Sequence, residues 1–230
     1  MKVVVLTGAG ISAESGVPTF RDSDGLWEGH DVMEVASPEG FDADPHLVQT
    51  FYDLRRAHLD KVEPNAAHLA LGRLEQALGD DLVIVTQNVD DLHERGGASR
   101  VLHMHGELRS ALCLSCAQRF GWDTTLADNP RCPGCDRKAL RPDIVWFGEI
   151  PYHMDEILFA LSEADVFCSI GTSAQVYPAA AFVEWAAQRG ARTVELNLER
   201  TGASESFDES RQGRAGDLVP VWVDEVIAAR

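Results

Sequence analysis

The chain has 230 residues, 45% of them hydrophobic and 25% charged, an ordinary globular composition and enough chain for one large domain with or without a small companion. Its formal net charge of −17 argues against direct binding to nucleic acid or an anionic membrane surface, since both would repel it. No apolar run approaches the roughly eighteen residues of a membrane span, and Met1 leads at once into a strand-like run rather than a secretory leader, so a cytoplasmic location is expected.

Val3, Val4, Val5 and Leu6 form a continuous β-branched and aliphatic run, the pattern of a strand covered on both faces in a parallel sheet. Thr7 and Gly8-Ala9-Gly10 break it, and Ile11 to Glu14 reads as the first turn of a helix. Strand, glycine turn and helix start together aim backbone N–H groups at a phosphate, and Gly8-x-Gly10-x-x-Ala13 meets the relaxed dinucleotide pattern. A plain tight turn would satisfy the same residues. The dehydrogenase version also needs a second strand ending in a ribose-holding acid about twenty residues on. Here Pro18 to Trp27 carries Arg21, Asp22, Asp24 and Gly25 and reads as loop, so the span 16–27 is expected to close over a ligand.

Asp44-Pro45 opens a helix on which Leu47, Val48, Phe51, Leu54 and Leu59 recur near helical spacing. Tyr52 and Arg55 project from one side of it, and spacing alone favours a surface pair. A second helix is expected from Asn65 to Leu78, with Gly79 as its cap. The strand Leu82 to Val85 runs into Thr86-Gln87-Asn88-Val89-Asp90, a polar cluster where open α/β sheets bind ligands. The next short strand carries His103 and His105; in a lone short segment such histidines are more often hydrogen-bonded structural groups than catalysts, but two together beside the Gln-Asn-Asp cluster weaken that reading.

Cys113-x-x-Cys116 and Cys132-x-x-Cys135 stand at zinc-ribbon spacing. Either pair alone could be a redox dithiol. Together, with all four ligands cysteine, they predict a closed structural zinc site. Beyond them α/β alternation resumes. Strands are expected at 143–147, 165–170 and 193–198, helices at 154–162, 179–188 and 217–229, and Cys168 as inert core. Gly171-Thr172-Ser173 and Asn197 are further small or polar strand ends. With Gly8 and Gln87 they fall along one edge of a parallel sheet, which argues for a large dinucleotide site.

The fold expected is therefore α/β, a Rossmann-like parallel sheet formed by 1–27, 82–109 and 141–230. A helical module at 28–81 and a zinc module at 110–140 would make the smaller inserted domain.

These motifs resemble the sirtuins, NAD-dependent protein-lysine deacylases. The match runs from Gly8-Ala-Gly-Ile-Ser-Ala-Glu-Ser-Gly-Val-Pro-Thr-Phe-Arg21 through Thr86-Gln-Asn-Val-Asp90, His105-Gly106 and the four cysteines to Val145-Trp-Phe-Gly148 and Gly171-Thr-Ser173. Tyr52-x-x-Arg55 and Ala36 before Ser37-Pro38 resemble the class III branch, which removes succinyl and malonyl groups, and this moves Tyr52 and Arg55 from the surface into an acyl pocket.

The resemblance implies that Gly8, Ala9, Gly10, Ser12 and Ala13 hold the pyrophosphate region of NAD, with Phe20, Arg21 and Trp27 over the nicotinamide side. Gln87, Asn88, Val89 and Asp90 would orient the nicotinamide ribose and carboxamide. Gly171, Thr172, Ser173, Asn197, Leu198, Glu199 and Ala215 would line the adenosine part. It implies His105 as general base, Val145, Trp146, Phe147 and Gly148 as the edge that pairs with a substrate peptide, and Ala36, Tyr52 and Arg55 as the acyl pocket. NAD would be consumed as co-substrate, acylated proteins or peptides would be the partners, and nicotinamide and acyl-ADP-ribose would leave. Beside this reading stand a non-catalytic NAD or ADP-ribose sensor, against which His105 argues and which nicotinamide release would decide, an ADP-ribosyl transferase, separable by where labelled ADP-ribose ends, and a zinc-ribbon interaction protein, which leaves the strand-end clusters unexplained.

Overall fold

The run Val3–Thr7 (β1) is buried at every position and lies inside a six-stranded sheet. The structure, a computed structural model, describes residues 1–18, 26–27 and 29–230. After β1 come β2 (Leu26–Trp27), β3 (His30–Asp31), α1 (Val32–Val35), α2 (Pro38–Ala43), α3 (Pro45–Leu59) and α4 (Ala66–Leu78). The middle of the chain forms β4 (Leu82–Thr86), α5 (Leu92–Arg95), β5 (Val101–His103), β6 (Gly106–Cys113), β7 (Arg119–Gly121) and β8 (Leu140–Ile144). It closes with α6 (Met154–Ser162), β9 (Val166–Ile170), α7 (Phe182–Gln188), β10 (Arg192–Asn197), β11 (Glu209–Gln212) and α8 (Ala215–Ala228).

The large sheet runs β11-β10-β9-β1-β4-β5, and every pairing in it is parallel. Side chains alternate along a strand, so Val3 and Val5 face one layer and Val4 and Leu6 the other. The first layer is α4 and α8, packed through Leu71, Leu74, Trp222 and Val223. The second is α6 and α7, packed through Ile157, Leu161, Phe182 and Val183. Burial on both faces explains why the strands are continuous apolar runs. Both long early helices start at side-chain caps, with Asp44 accepting from Leu47 N at 2.9 Å and Asn65 from Ala67 N at 3.0 Å. The α/β class and parallel sheet are as expected.

Five local expectations change. Ile11–Glu14 is not an α-helical turn but belongs to two short 3₁₀ turns, Ala9–Ile11 and Ala13–Ser15. The strand expected at 143–147 ends at Ile144, and α7 is α-helical only from Phe182, after a 3₁₀ turn. Helix α4 falls in the span 28–81 grouped above with the small module, yet its apolar face packs on the sheet beside α8. Strand β11 was not foreseen, because Glu-Ser-Arg-Gln at a sheet edge has no apolar alternation to read.

A second, antiparallel sheet, β7-β6-β8, carries the cysteines. It is joined to α3 by Gln49, which donates to Leu140 O, by buried Arg56, which donates to Leu108 O, and by Asp53, whose carboxylate pairs with Arg56 and accepts from Leu126 N and Ala127 N in the loop between β7 and β8. No helix among the described residues is long and apolar enough to cross a membrane.

Candidate functional site

From β1 the sheet continues to one side through β4 and β5 and to the other through β9, β10 and β11. The carboxyl ends of β1 and β9 therefore flank the switch point where a doubly wound sheet opens a crevice. Two glycine turns meet there. Gly8 N donates to Ile170 O at 3.0 Å and Gly10 N to Gly171 O at 2.8 Å. A Cβ on Gly10 would stand 2.7 Å from Gly171 Cα, and one on Gly171, whose φ is +63°, would stand 2.5 Å from Ile11 N. Glycine is needed because one backbone rests on the other. The contact uses two N–H groups of the first turn that the sequence reading aimed at a phosphate.

A cavity of about 1180 Å³ opens over these turns. Gly8, Ala9, Gly10 and Ala13 line one part, and Gln87, Asn88, Val89 and Asp90 another. Gly171, Thr172 and Ser173 continue the wall to Asn197, Leu198 and Ala215. The sequence placed these residues together, and the fold brings them to one cavity. Ser12 and Glu199 stand apart. Ser12 is fully buried beneath the wall and Glu199 is exposed outside it. Phe20, Arg21 and the side chain of Trp27 lie outside the described residues.

Below the wall the strand ends are tied to one another. Ser12 Oγ donates to Asp90 Oδ2 at 2.9 Å and accepts from Asn88 Nδ2 at 3.2 Å. Asn88 Nδ2 also donates to Gly8 O at 3.1 Å, so the amide is held from both the first turn and Ser12. Gln87 Nε2 donates to Thr172 Oγ1 at 3.1 Å, and Asn197 Nδ2 to Thr172 O at 2.7 Å. Burial pushes the Asp90 carboxyl up, against the hydrogen bonds from Leu92 N and Ser12. Sequence reasoning missed His68 and His93, which sit under this lattice against Ser12 and Thr7. Burial lowers His68 to about 4 and keeps His93 neutral as well. Their only sequence signal is a histidine on the apolar side of a helix.

His105 faces the cavity between the sheet and the cysteine-bearing unit. Its Nδ1 lies 3.1 Å from Gln87 O. A carbonyl only accepts, so Nδ1 carries the proton and Nε2 is left with the lone pair. Burial lowers its pKa, which the Gln87 carbonyl partly opposes.

Ala36, Tyr52, Arg55 and the stretch Val145, Trp146, Phe147 and Gly148 line the far end of the same cavity. Tyr52 is wholly buried, which overturns the surface pair favoured by spacing. Its oxygen accepts from Trp146 Nε1 at 3.1 Å, and burial raises its pKa, so the phenol keeps its proton. Arg55 donates to Phe51 O at 2.9 Å and lies over the Phe51 ring. Leu54, read above only as part of the helix's apolar spacing, and His58, which the sequence did not single out, extend this end. The peptide edge is narrower than expected, because three of its N–H groups are already used. Val145 N donates to His105 O at 2.8 Å, Trp146 N to Glu149 Oε2 at 2.8 Å and Phe147 N to Ala36 O at 2.9 Å.

The sulfurs of Cys113, Cys116, Cys132 and Cys135 all lie within 4.8 Å of one another. The Cys113–Cys135 and Cys116–Cys132 separations are both 3.7 Å. A tetrahedron of thiolates about 2.3 Å from zinc has edges of about 3.8 Å, whereas a disulfide is about 2 Å. The four residues fit one zinc, with no position left for water.

Residues 8–178 match the model of the Sir2 family. The chain is 54% identical over 230 residues to an NAD-dependent protein deacylase of Pasteurella multocida, covering 99% of this chain and 98% of that one. It is similar in structure to a Sir2 homologue solved as an NAD complex, with TM-score 0.90 and 40% identity over 99% of this chain and 90% of that one. It is also similar to a Sir2 bound to acetylated peptide, with TM-score 0.83 and 27% identity over 98% and 93%.

Proposed function

The chain belongs to the Sir2 family, and from that premise we propose that it is an NAD-dependent protein-lysine deacylase whose acyl pocket favours groups ending in a carboxylate. The observation that carries the reading is one cavity shared by the glycine turns, His105, and the pair Tyr52 and Arg55. NAD fits the turn side, with Gln87, Asn88 and Asp90 toward the nicotinamide ribose and Gly171 to Ala215 toward the adenosine. The acylated lysine of a partner protein enters past Val145 to Gly148, pairing through the carbonyls there and the amide of Gly148.

Nicotinamide leaves as a neutral molecule from a cationic ring, so a ribose carbon held in place is open to the acyl oxygen of the lysine amide. His105 Nε2 takes the proton of a ribose hydroxyl, which then attacks the acyl carbon. One water then adds to that carbon as its bond to the lysine nitrogen breaks, so that free lysine, nicotinamide and O-acyl-ADP-ribose are the products. The closed cysteine site holds its zinc as structure only. Arg55 offers a terminal carboxylate a charge-assisted fork and Tyr52 a hydroxyl donor, while Ala36 leaves room for a longer chain. Acetyl presents nothing to Arg55 and is turned over without that gain. The net charge of −17 suits lysine-rich partners.

The test is a matched set of acetyl-, malonyl- and succinyl-lysine peptides with and without NAD, read by nicotinamide release and by lysine freed. Arg55→Met is expected to cost about 2–5 kcal/mol in kcat/KM on succinyl-lysine, the range for removing a buried charged partner, and little on acetyl-lysine. An equal loss on both substrates ends the acyl-pocket assignment, and NAD cleavage that leaves ADP-ribose on protein ends the deacylase reading.

A further inference from the structure

Three carbonyls in succession, those of Gln87, Asn88 and Val89, are captured by the chain running from β5 into β6. Gln87 O faces His105 Nδ1 at 3.1 Å, Asn88 O faces His103 Nδ1 at 3.1 Å, and Val89 O accepts from Leu108 N at 2.8 Å. The middle one differs in kind. His103 Nε2 lies 2.9 Å from Glu94 Oε1 and 3.8 Å from Glu107 Oε1, so both ring nitrogens of this buried side chain face groups that can only accept. A neutral imidazole has one N–H and would leave one of those contacts without a proton.

We infer that His103 works as a charged positioning residue, an imidazolium that clamps the Asn88 carbonyl to Glu94 and so holds the segment whose preceding carbonyl orients His105. The groups around it agree. Glu94 comes from α5 and Glu107 from β6, buried Asp90 is near enough to feel its charge, and His93, which would oppose that charge if protonated, is held neutral by burial. Burial alone would lower the His103 pKa, but the Glu94 hydrogen bond, the charges of Glu94 and Glu107 and the Asn88 carbonyl outweigh it and raise the value. Two histidines two positions apart thus have opposite tasks, one neutral to take a proton and one charged to hold a backbone. The consequence is an alkaline limit on turnover. As pH rises through the raised pKa, His103 loses one donor, the Asn88 carbonyl or Glu94 is released, and His105 loses its fixed partner.

The inference rests on the deacylase reading only for its activity readout, so the test has a second arm that needs no turnover. Imidazole ¹⁵N shifts of the full chain are expected to report both His103 nitrogens protonated at pH 7. A neutral tautomer there overturns the proposal whatever the enzyme does. In kinetics, Glu94→Gln keeps an acceptor beside Nε2 but removes its charge, and is expected to move the alkaline limb of kcat/KM for NAD to lower pH while leaving the acid limb unchanged. His103→Gln is expected to lower kcat/KM for NAD by about tenfold near neutrality, the size of one charge-assisted hydrogen bond, and to abolish that limb. An alkaline limb unmoved in Glu94→Gln overturns the positioning role. Absence of any turnover with a doubly protonated His103 would sink the deacylase reading and leave the imidazolium standing.

Discussion

His105 shows how one hydrogen bond sets a residue's chemistry. The Gln87 carbonyl fixes the proton on Nδ1, and burial makes the neutral form easier to keep. A base works when unprotonated, so the acid limb of kcat/KM should lie below the ordinary histidine value of about 6.5, with activity lost as pH falls through the lowered pKa. A pH–rate profile on one acyl peptide checks this, and an acid limb at or above 6.5 would mean that another group is titrating. Tyr52 is the complementary case. Burial raises its pKa, so across the working range it stays a donor.

Among the elements, the contact between the turns that end β1 and β9 matters most. Its geometry is backbone on backbone, at distances no side chain fits between. Gly171→Ala combines a left-handed φ of +63° with a Cβ 2.5 Å from Ile11 N, so the turns must part. The expected outcome is a loss of roughly 1–3 kcal/mol of stability, as for other overpacked sites, together with at least about tenfold weaker ADP-ribose binding. Calorimetric titration and denaturant unfolding read the two effects separately, and wild-type affinity in the variant would show that the turns do not shape the dinucleotide side. Helix α4 is tied to the same place, since Asn65 Nδ2 at its start donates to Ile11 O at 2.7 Å.

Across the whole molecule, the cysteine-bearing sheet reaches the acyl end of the cavity through buried polar contacts. Asp143 on β8 accepts from Tyr152 Oη at 2.9 Å and from Arg119 of β7, and Arg141 donates to Glu149 at 2.9 Å while Glu149 holds Trp146 N. The dinucleotide side rests instead on β1 and β9. Stripping the zinc should therefore loosen the peptide side first. We expect a melting temperature lower by about 10 °C or more, consistent with a loss of several kcal/mol in a chain this size, and loss of peptide turnover. ADP-ribose binding should stay within a few-fold. Metal analysis, thermal melts and titration of the stripped protein check it, and equal loss on both sides would show that the two units do not act separately.

Much of this protein could be read from its residues in order. Buried strands have a local signature in continuous β-branched runs, glycine turns in Gly8, Gly10 and Gly171, and the metal site in the spacing of its cysteines, because each depends on near neighbours in the chain. What spacing alone read wrongly was long-range. Tyr52 and Arg55 look like any surface pair until Trp146, 94 positions from Tyr52, donates to the Tyr52 oxygen in the interior. The charge of His103 depends on Glu94 and on a carbonyl fifteen positions back, and the burial of Ser12 on Asp90 from the next strand. Edge strand β11 has no apolar pattern and exists only because β10 offers it hydrogen bonds. Local periodicity determines which segments form elements. Desolvation and hydrogen bonding between segments far apart in the chain decide which polar groups are charged, which are oriented, and which face the cavity.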